Sequence, residues 1–418
     1  MKKWICLCIC AMAGWSCEDF RPLQNQPHTV EAEITGITET SAACSISIEP
    51  SGATQKVGIV YGTDPSLQTN TSELNAEIAP GNSASFTLSG LYGGTDYYIE
   101  AYATDQSGYR IYGHIQSFRT GWITLTEFGN GIVASKNFGG GDGTRNSPFL
   151  IADARHLKKM VDDSRDNNYS GIYFKLTTDI QVTADEWVPI GDYYSISRFQ
   201  GAFDGGGHTI SGTLKSENYS SFGFFRYLNG ATVSNLTISA AVSNDHISND
   251  HASTDWNVYT GALAGYVEEN SVVRDCNVSG PVKGGRATRE MEASRTGGVA
   301  GEIRGSDETP VTVSNCTVSE SVTGGEATGG SYTGGIAGTV NNNVEIANCT
   351  VSQLVTGGTG VFYSFTGGVA GRIGDFSTII RDCNVSGKVQ GGRATRDEVI
   401  NGYRQGGDSY TGGVAGAI

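Results

Sequence analysis

Five near-identical hexapeptides limit what this chain can fold into. They are "TGALAG" (Thr260 to Gly265), "TGGVAG" (Thr296 to Gly301), "TGGIAG" (Thr333 to Gly338) and "TGGVAG" twice more, at Thr366 to Gly371 and Thr411 to Gly416. Successive copies begin 36, 37, 33 and 45 residues apart. A phosphate-binding loop needs one glycine-rich segment. Five copies at a nearly constant period mean stacked units that bury one another's faces. The hexapeptide therefore reads as scaffold.

Each hexapeptide belongs to a longer unit. A second phrase, "DCNVSG", "NCTVSE", "NCTVSQ" and "DCNVSG", follows the first four copies. In it, cysteine and valine alternate with polar residues, as in a strand with one buried face. Stacking at about 4.8 Å per coil places Cys276, Cys316, Cys349 and Cys383 in one internal column. Parallel stacking holds their Cβ atoms farther apart than the roughly 3.5–4.5 Å a disulfide prefers, so buried free thiols are expected. Thr260, Gly261, Gly265, Thr296, Gly297, Gly301, Thr333, Gly334, Gly338, Thr366, Gly367 and Gly371 read as structural positions of the repeat. Their glycines are expected to let the chain turn and let coils approach closely.

Unit length varies after "GG[RE]AT", which marks loops on one side, including Arg289–Arg295 and Arg396–Ser409. Trp256, Tyr259, Tyr332, Phe362, Tyr363 and Tyr410 lie near that side. They suit sugar rings, and equally suit capping of strands beside glycine turns.

The repeat region has its own entry. In "SPFLIADARHLKKMVDD", Ala154, Leu157, Met160 and Val161 share one helical face, with Asp153 at the N-terminus. Such a helix covers the open end of a strand stack. His156 reads as part of the cap surface. Gly205, Gly206 and Gly207 in "FDGGGHTISG" suit a sharp turn; no GK[ST] follows, which excludes a phosphate loop.

Before this, residues 28–120 show period-two alternation with turn punctuation. Six or seven short strands at that spacing suggest an antiparallel sandwich. Cys44, alternating with Ile46 and Ile48, reads as a buried strand residue. The first seventeen residues combine Lys2 and Lys3 with an apolar run and end at Cys17, a secretory signal too short to span a bilayer. A net charge of -15 disfavours nucleic acid and anionic lipid as partners.

Three resemblances add to this reading. "MKKWICLCICAMAGWSC" resembles a Bacteroidetes-type lipoprotein signal, which implies lipidation of Cys17 and attachment to the outer membrane. "LYGGTDY" (Leu91 to Tyr97) resembles the corner of fibronectin type III domains, with Gly93 in place of the proline. There Tyr97 would be the corner tyrosine, its hydroxyl bonded to backbone. "FQGAFDGGGHTISG" and the recurring "TGGVAG" resemble the start and the GLUG motif of bacterial surface β-helix proteins. Some of those chains are peptidases, but HExxH is absent here, so the zinc chemistry does not transfer.

The expected fold is all-β: an antiparallel fibronectin type III-like sandwich, then a right-handed parallel β-helix with an N-terminal capping helix. The expected domains are signal 1–17, tether 18–27, sandwich 28–120, linker 121–146 and β-helix 147–418. No cofactor, metal or catalytic residue is expected. His246 and His251 read as a solvated loop, and Asp275 and Asp382 are the one acidic pair with a claim to glycan chemistry. The expected role is non-catalytic adhesion or ligand binding at the cell surface, with an extracellular glycan or host protein as partner. A carbohydrate-active β-helix enzyme and a passive spacer are the alternatives.

Overall fold

A computed structural model describes residues 29–418, apart from 39–40, 50–53, 70, 78–82, 92–94, 106–107, 122–136, 185–186, 193–196, 247–256, 376 and 401–402. Cys17, the signal, the tether and Trp256 lie outside the described residues. The chain divides into two compact units, Met1–Gly121 and Trp122–Ile418.

Among its described residues the first unit holds eight strands: β1 (Thr29–Thr35), β2 (Ser41–Glu49), β3 (Thr54–Gly62), β4 (Thr71–Glu77), β5 (Ser83–Ser89), β6 (Asp96–Asp105), β7 (Arg110–Tyr112) and β8 (Gln116–Arg119). One antiparallel sheet has the order β1-β2-β5. The other runs β4-β3-β6, with β7 and β8 both paired to β6. Alternation in β2 and β5 sends Cys44, Ile46, Ile48, Phe86 and Leu88 inward, where they share one core with Val57, Ile59, Ile99 and Phe118 of the facing sheet. This is a sandwich. Burial pushes the Cys44 thiol up to about 11, which keeps it protonated. Tyr97 is buried and stacks on Phe118 at 5.7 Å.

The second unit is a parallel β-helix. Each full coil contributes to four faces. The first face stacks Phe149–Ile151, Tyr173–Leu176, Ala202–Asp204, Thr232–Ser234, Val272–Arg274, Val311–Ser314, Val344–Ala347 and Ile379–Arg381. The second stacks Ile180–Ala184, Thr209–Ser216 and Thr237–Asn244 and then splits into pairs such as Asn277–Val278 and Val282–Lys283. The third carries the threonine of each hexapeptide (Val258–Gly261, Ser294–Gly297, Gly330–Gly334, Tyr363–Gly367, Asp408–Gly412), and the fourth its final "AG" (Ala264–Glu268, Ala300–Arg304, Ala337–Asn341, Ala370–Ile373, Ala415–Ala417).

Because the register is parallel, like residues stack. Phe203, Val233, Val273, Val313 and Ile346 form one inner column, and Ile238, Val278, Val318 and Val351 another. All nine are essentially inaccessible. The first coils fill their wider interior with Trp187, Phe199, Phe203, Phe222, Phe224 and Phe225. The helix α1 (Ala154–Asp163) packs Ala154, Leu157, Met160 and Val161 into this core. Asp153 caps it, accepting from the amides of Arg155 and His156.

The glycines of the hexapeptide serve close approach. None has a left-handed φ. A Cβ on Gly297 would fall 2.1 Å from the Ala300 carbonyl oxygen and 2.6 Å from Ala337 Cα of the next coil. A Cβ on Gly301 would fall 2.5 Å from Thr260 N of the preceding coil. The turning expected of these glycines is done elsewhere. Asn235, Asp275, Asn315, Asn348 and Asp382 hold φ between 53° and 56° just before the second face. Asn and Asp tolerate that region better than other side chains.

The paired glycines preceding the loops obey the same spatial limit. Gly284, Gly324 and Gly357 each lie so close to the hexapeptide threonine of their own coil that a Cβ would sit 2.0 Å from its Oγ1. The second glycine of each pair accepts a hydrogen bond through its carbonyl: Ser294, Ser331, Ser364 and Ser409 donate to Gly285, Gly325, Gly358 and Gly392, each at 2.9 Å. These serines tie the loop end of every coil to its third face.

Two outcomes are expected. Gly325→Ala places a Cβ 1.9 Å from the Gly285 carbonyl oxygen. It is expected to destabilise the β-helix by about 3 kcal/mol in urea unfolding; an unchanged midpoint refutes the packing limit. His156 is buried within the cap, not on its surface, and its Nδ1 accepts from Ala152 N at 3.3 Å. Burial lowers its pKa from 6.5, opposed by nearby Asp153. A depressed histidine stabilises the fold above its unfolded pKa, and that contribution is lost as pH falls below about 6.5. The melting temperature of the wild type should therefore drop on acidification from pH 7 more steeply than that of His156→Gln, and parallel curves would contradict this.

Candidate functional site

The repeat residues are occupied with structure. Thr260, Thr296, Thr333 and Thr366 are fully buried in one column. Cys276, Cys316 and Cys349 are buried, Cys383 is half-buried, and all four are free thiols. Each of the four donates to the backbone carbonyl two residues back, at 3.3 to 3.4 Å. Hydrogen bonds with Cys276 and Cys349, together with burial, hold the Cys316 thiol well above the usual range. Among the described residues no group of three or more His, Cys, Asp or Glu side chains is arranged to hold a metal.

The acidic pair is explained by the turn. Asp275 and Asp382 occupy left-handed positions in one ladder with Asn315 and Asn348 between them. Asn315 Nδ2 donates to Asp275 Oδ1 at 3.0 Å, and Arg274 donates to Oδ2 at 2.7 Å. These bonds lower the Asp275 pKa, Asn315 being the larger cause. Three coil steps of about 4.8 Å separate the two aspartates, roughly 14 Å and beyond the 5–9.5 Å span of paired glycosidase carboxylates.

The predicted aromatics divide. The third and fourth faces meet at the hexapeptide with their outer side chains turned toward each other, forming a crease along the stack. Tyr259, Arg295, Tyr332, Phe365 and Tyr410 form the outer column of the third face. Tyr227, Tyr266, Glu302, Thr339 and Arg372 form that of the fourth. Tyr259 meets Tyr266 edge-on at 5.2 Å. The Arg295 guanidinium lies 5.1 Å from the Tyr259 ring and 5.7 Å from Tyr332, and pairs with Glu302 at 3.1 Å. Tyr259 is therefore closed off as a ring platform, whereas Tyr332 lines a cavity of about 530 Å³ with Tyr363, Phe365 and Arg372. Tyr363 and Tyr410 are exposed, at 43% and 51%.

A cleft that sequence reasoning missed lies on the outer side of the first face. Its volume is about 550 Å³. Two outward rows line it: Tyr173, Ala202 and Thr232; and Lys175, Asp204, Ser234 and Arg274. Ala202 and Gly230 keep its floor low, and Gln200, Asn235 and Arg145 also line it. Asp204 Oδ1 is engaged by Gly206 N at 3.0 Å and by Asn235 Nδ2 at 2.9 Å, which fixes the carboxylate in the cleft. All of these residues but Arg274 come from coils that precede the recognisable repeat, so no recurring phrase marks them.

No family model matches the chain. A protein of Evansella cellulosilytica, whose name calls it a Gly-rich membrane protein, is 39% identical over 88 residues. That stretch is 20% of this chain and only 10% of that protein. Among the described residues no helix is long and apolar enough to cross a membrane, which says nothing of a β-barrel. A pectate lyase of Pectobacterium carotovorum aligns over 90% of this chain and 94% of its own, at 12% identity and a TM-score of 0.19. A pectate lyase of Erwinia chrysanthemi in complex with tetragalacturonic acid aligns over 93% and 99%, at 13% identity and a TM-score of 0.18. At such scores the alignments carry no argument, and the parallel β-helix rests on the strand registers above.

The thiol column makes a testable statement. In the native chain a soluble thiol reagent should modify Cys383 well before Cys276, Cys316 or Cys349, as read by peptide mass spectrometry. Equal labelling of all four would contradict the buried column.

Proposed function

We propose that this is a lipid-anchored cell-envelope protein that presents a non-catalytic ligand-binding surface, with a glycan or a host protein as its partner. The anchor is Cys17, and the expected location is the outside of the outer membrane. The observation that carries the binding reading is the open, polar cleft on the first face. It stands on a stack whose hexapeptide glycines and threonines, Ser294, Ser331 and Ser364, and inward cysteines are packed between coils. Preformed concave sites with a few fixed polar groups are where ligands bind.

The surface reading draws on the signal-like N-terminus and on the resemblance to GLUG-motif surface proteins. The order β1-β2-β5 opposite β4-β3-β6 with β7 and β8 supports a fibronectin type III-like spacer between anchor and β-helix. The wide separation of Asp275 and Asp382 favours binding over glycan cleavage.

Protease shaving of intact cells tests the location. The β-helix region should be digested while a periplasmic control survives. Resistance until the outer membrane is opened would reject binding to outside partners.

A further inference from the structure

We infer that the cleft on the first face binds an acidic glycan strand lying along the axis of the stack; this rests on the ligand-binding reading above and names its chemical class. The charge pattern carries the argument. The chain is strongly acidic, at -15, yet the cleft gathers Arg145, Lys175 and Arg274 against the single carboxylate of Asp204. Arg274 shares its guanidinium with Asp275. Arg145 and Lys175 have no ion-pair partner among the described residues. Two unpaired cations at a concave site on an anionic protein are a local attraction for an anion.

The layout fits a linear polymer. Lys175, Asp204, Ser234 and Arg274 are register partners in successive coils. They form a row perpendicular to the strands, stepping about 4.8 Å per coil. A cation stands at each end of the row, and Asp204 lies between them, suited to a hydroxyl of an intervening sugar, while Ser234 beside it is only 5% exposed. Small residues at Ala202 and Gly230 leave room for a ring to approach the sheet.

The same features argue against nucleic acid. A single strand carries a charge at every nucleotide and is held by a continuous basic groove with aromatic stacking platforms. This row has too few cations, and its next register partners, Leu150 and Ser314, are uncharged. A glycan that alternates uronates with neutral sugars, as hyaluronan does, has fewer charges and many hydroxyls, and it matches the sparse cations of the row.

The test is calorimetric titration of the full mature chain with a hyaluronan octasaccharide and with an oligogalacturonate hexamer, using neutral maltohexaose as the comparison. Acidic oligosaccharides should bind in preference to the neutral one. Arg145→Gln and Lys175→Gln, both at exposed positions, should each weaken acidic binding about fivefold without changing the melting temperature. Neutral and acidic oligosaccharides binding alike, with both variants unchanged, would overturn the acidic assignment and leave the glycan-binding reading standing. Binding of neither class would overturn the assignment and count against glycan as the ligand class of the reading beneath it.

Discussion

The distance between successive backbones governs this molecule. Parallel coils hydrogen-bond at about 4.8 Å, and every residue shares its environment with register partners above and below. A residue type that suits one coil must suit the next, so the sequence repeats. Where faces bend sharply between closely packed coils, no Cβ fits: Gly297 meets Ala300 and Ala337 backbone, and Gly301 meets Thr260 backbone. Where the chain must enter left-handed geometry, Asn and Asp take the position instead. Glycine and asparagine thus divide two tasks, contact and turning.

The same constraint explains where chemistry has room. Interior positions are filled by stacked Val, Ile, Cys and Thr, and the crease by the Tyr259, Arg295 and Tyr332 stack. A regular repeat leaves little freedom for a site, because a residue chosen for a ligand in one coil is neighboured by its counterparts. The first coils are freer. Their core is aromatic and their outward rows are mixed: Lys175, Asp204, Ser234 and Arg274 share a row but no residue type. The cleft lies there, between the capped end and the regular stack.

Much of the fold was legible in the sequence. The hexapeptide period marked the stack, the "C[NT]VS" phrase marked inward cysteines, and Ala154, Leu157, Met160 and Val161 marked the cap. What could not be read was geometry between coils. Alternation marks Tyr259 and Tyr332 as outward-facing, but only the concave bend shows that outward residues of two faces close on each other. Spacing cannot tell a glycine that turns from a glycine that is crowded. The serine bonds from Ser294, Ser331 and Ser364 were equally silent, since a serine near glycines has many uses. The cleft residues other than Arg274 were invisible because no repeat aligns them.

Removal of one whole coil tests the scaffold account most directly. Deleting residues 296–332 joins Arg295 to Thr333 and brings Thr333 into the register that Thr296 holds against Thr260. The account predicts a shorter β-helix with β-rich circular dichroism and cooperative unfolding, whereas deleting only residues 296–314 should abolish both. If the whole-coil deletion unfolds as readily as the partial one, the coils are not interchangeable, and the repeat is more than a scaffold.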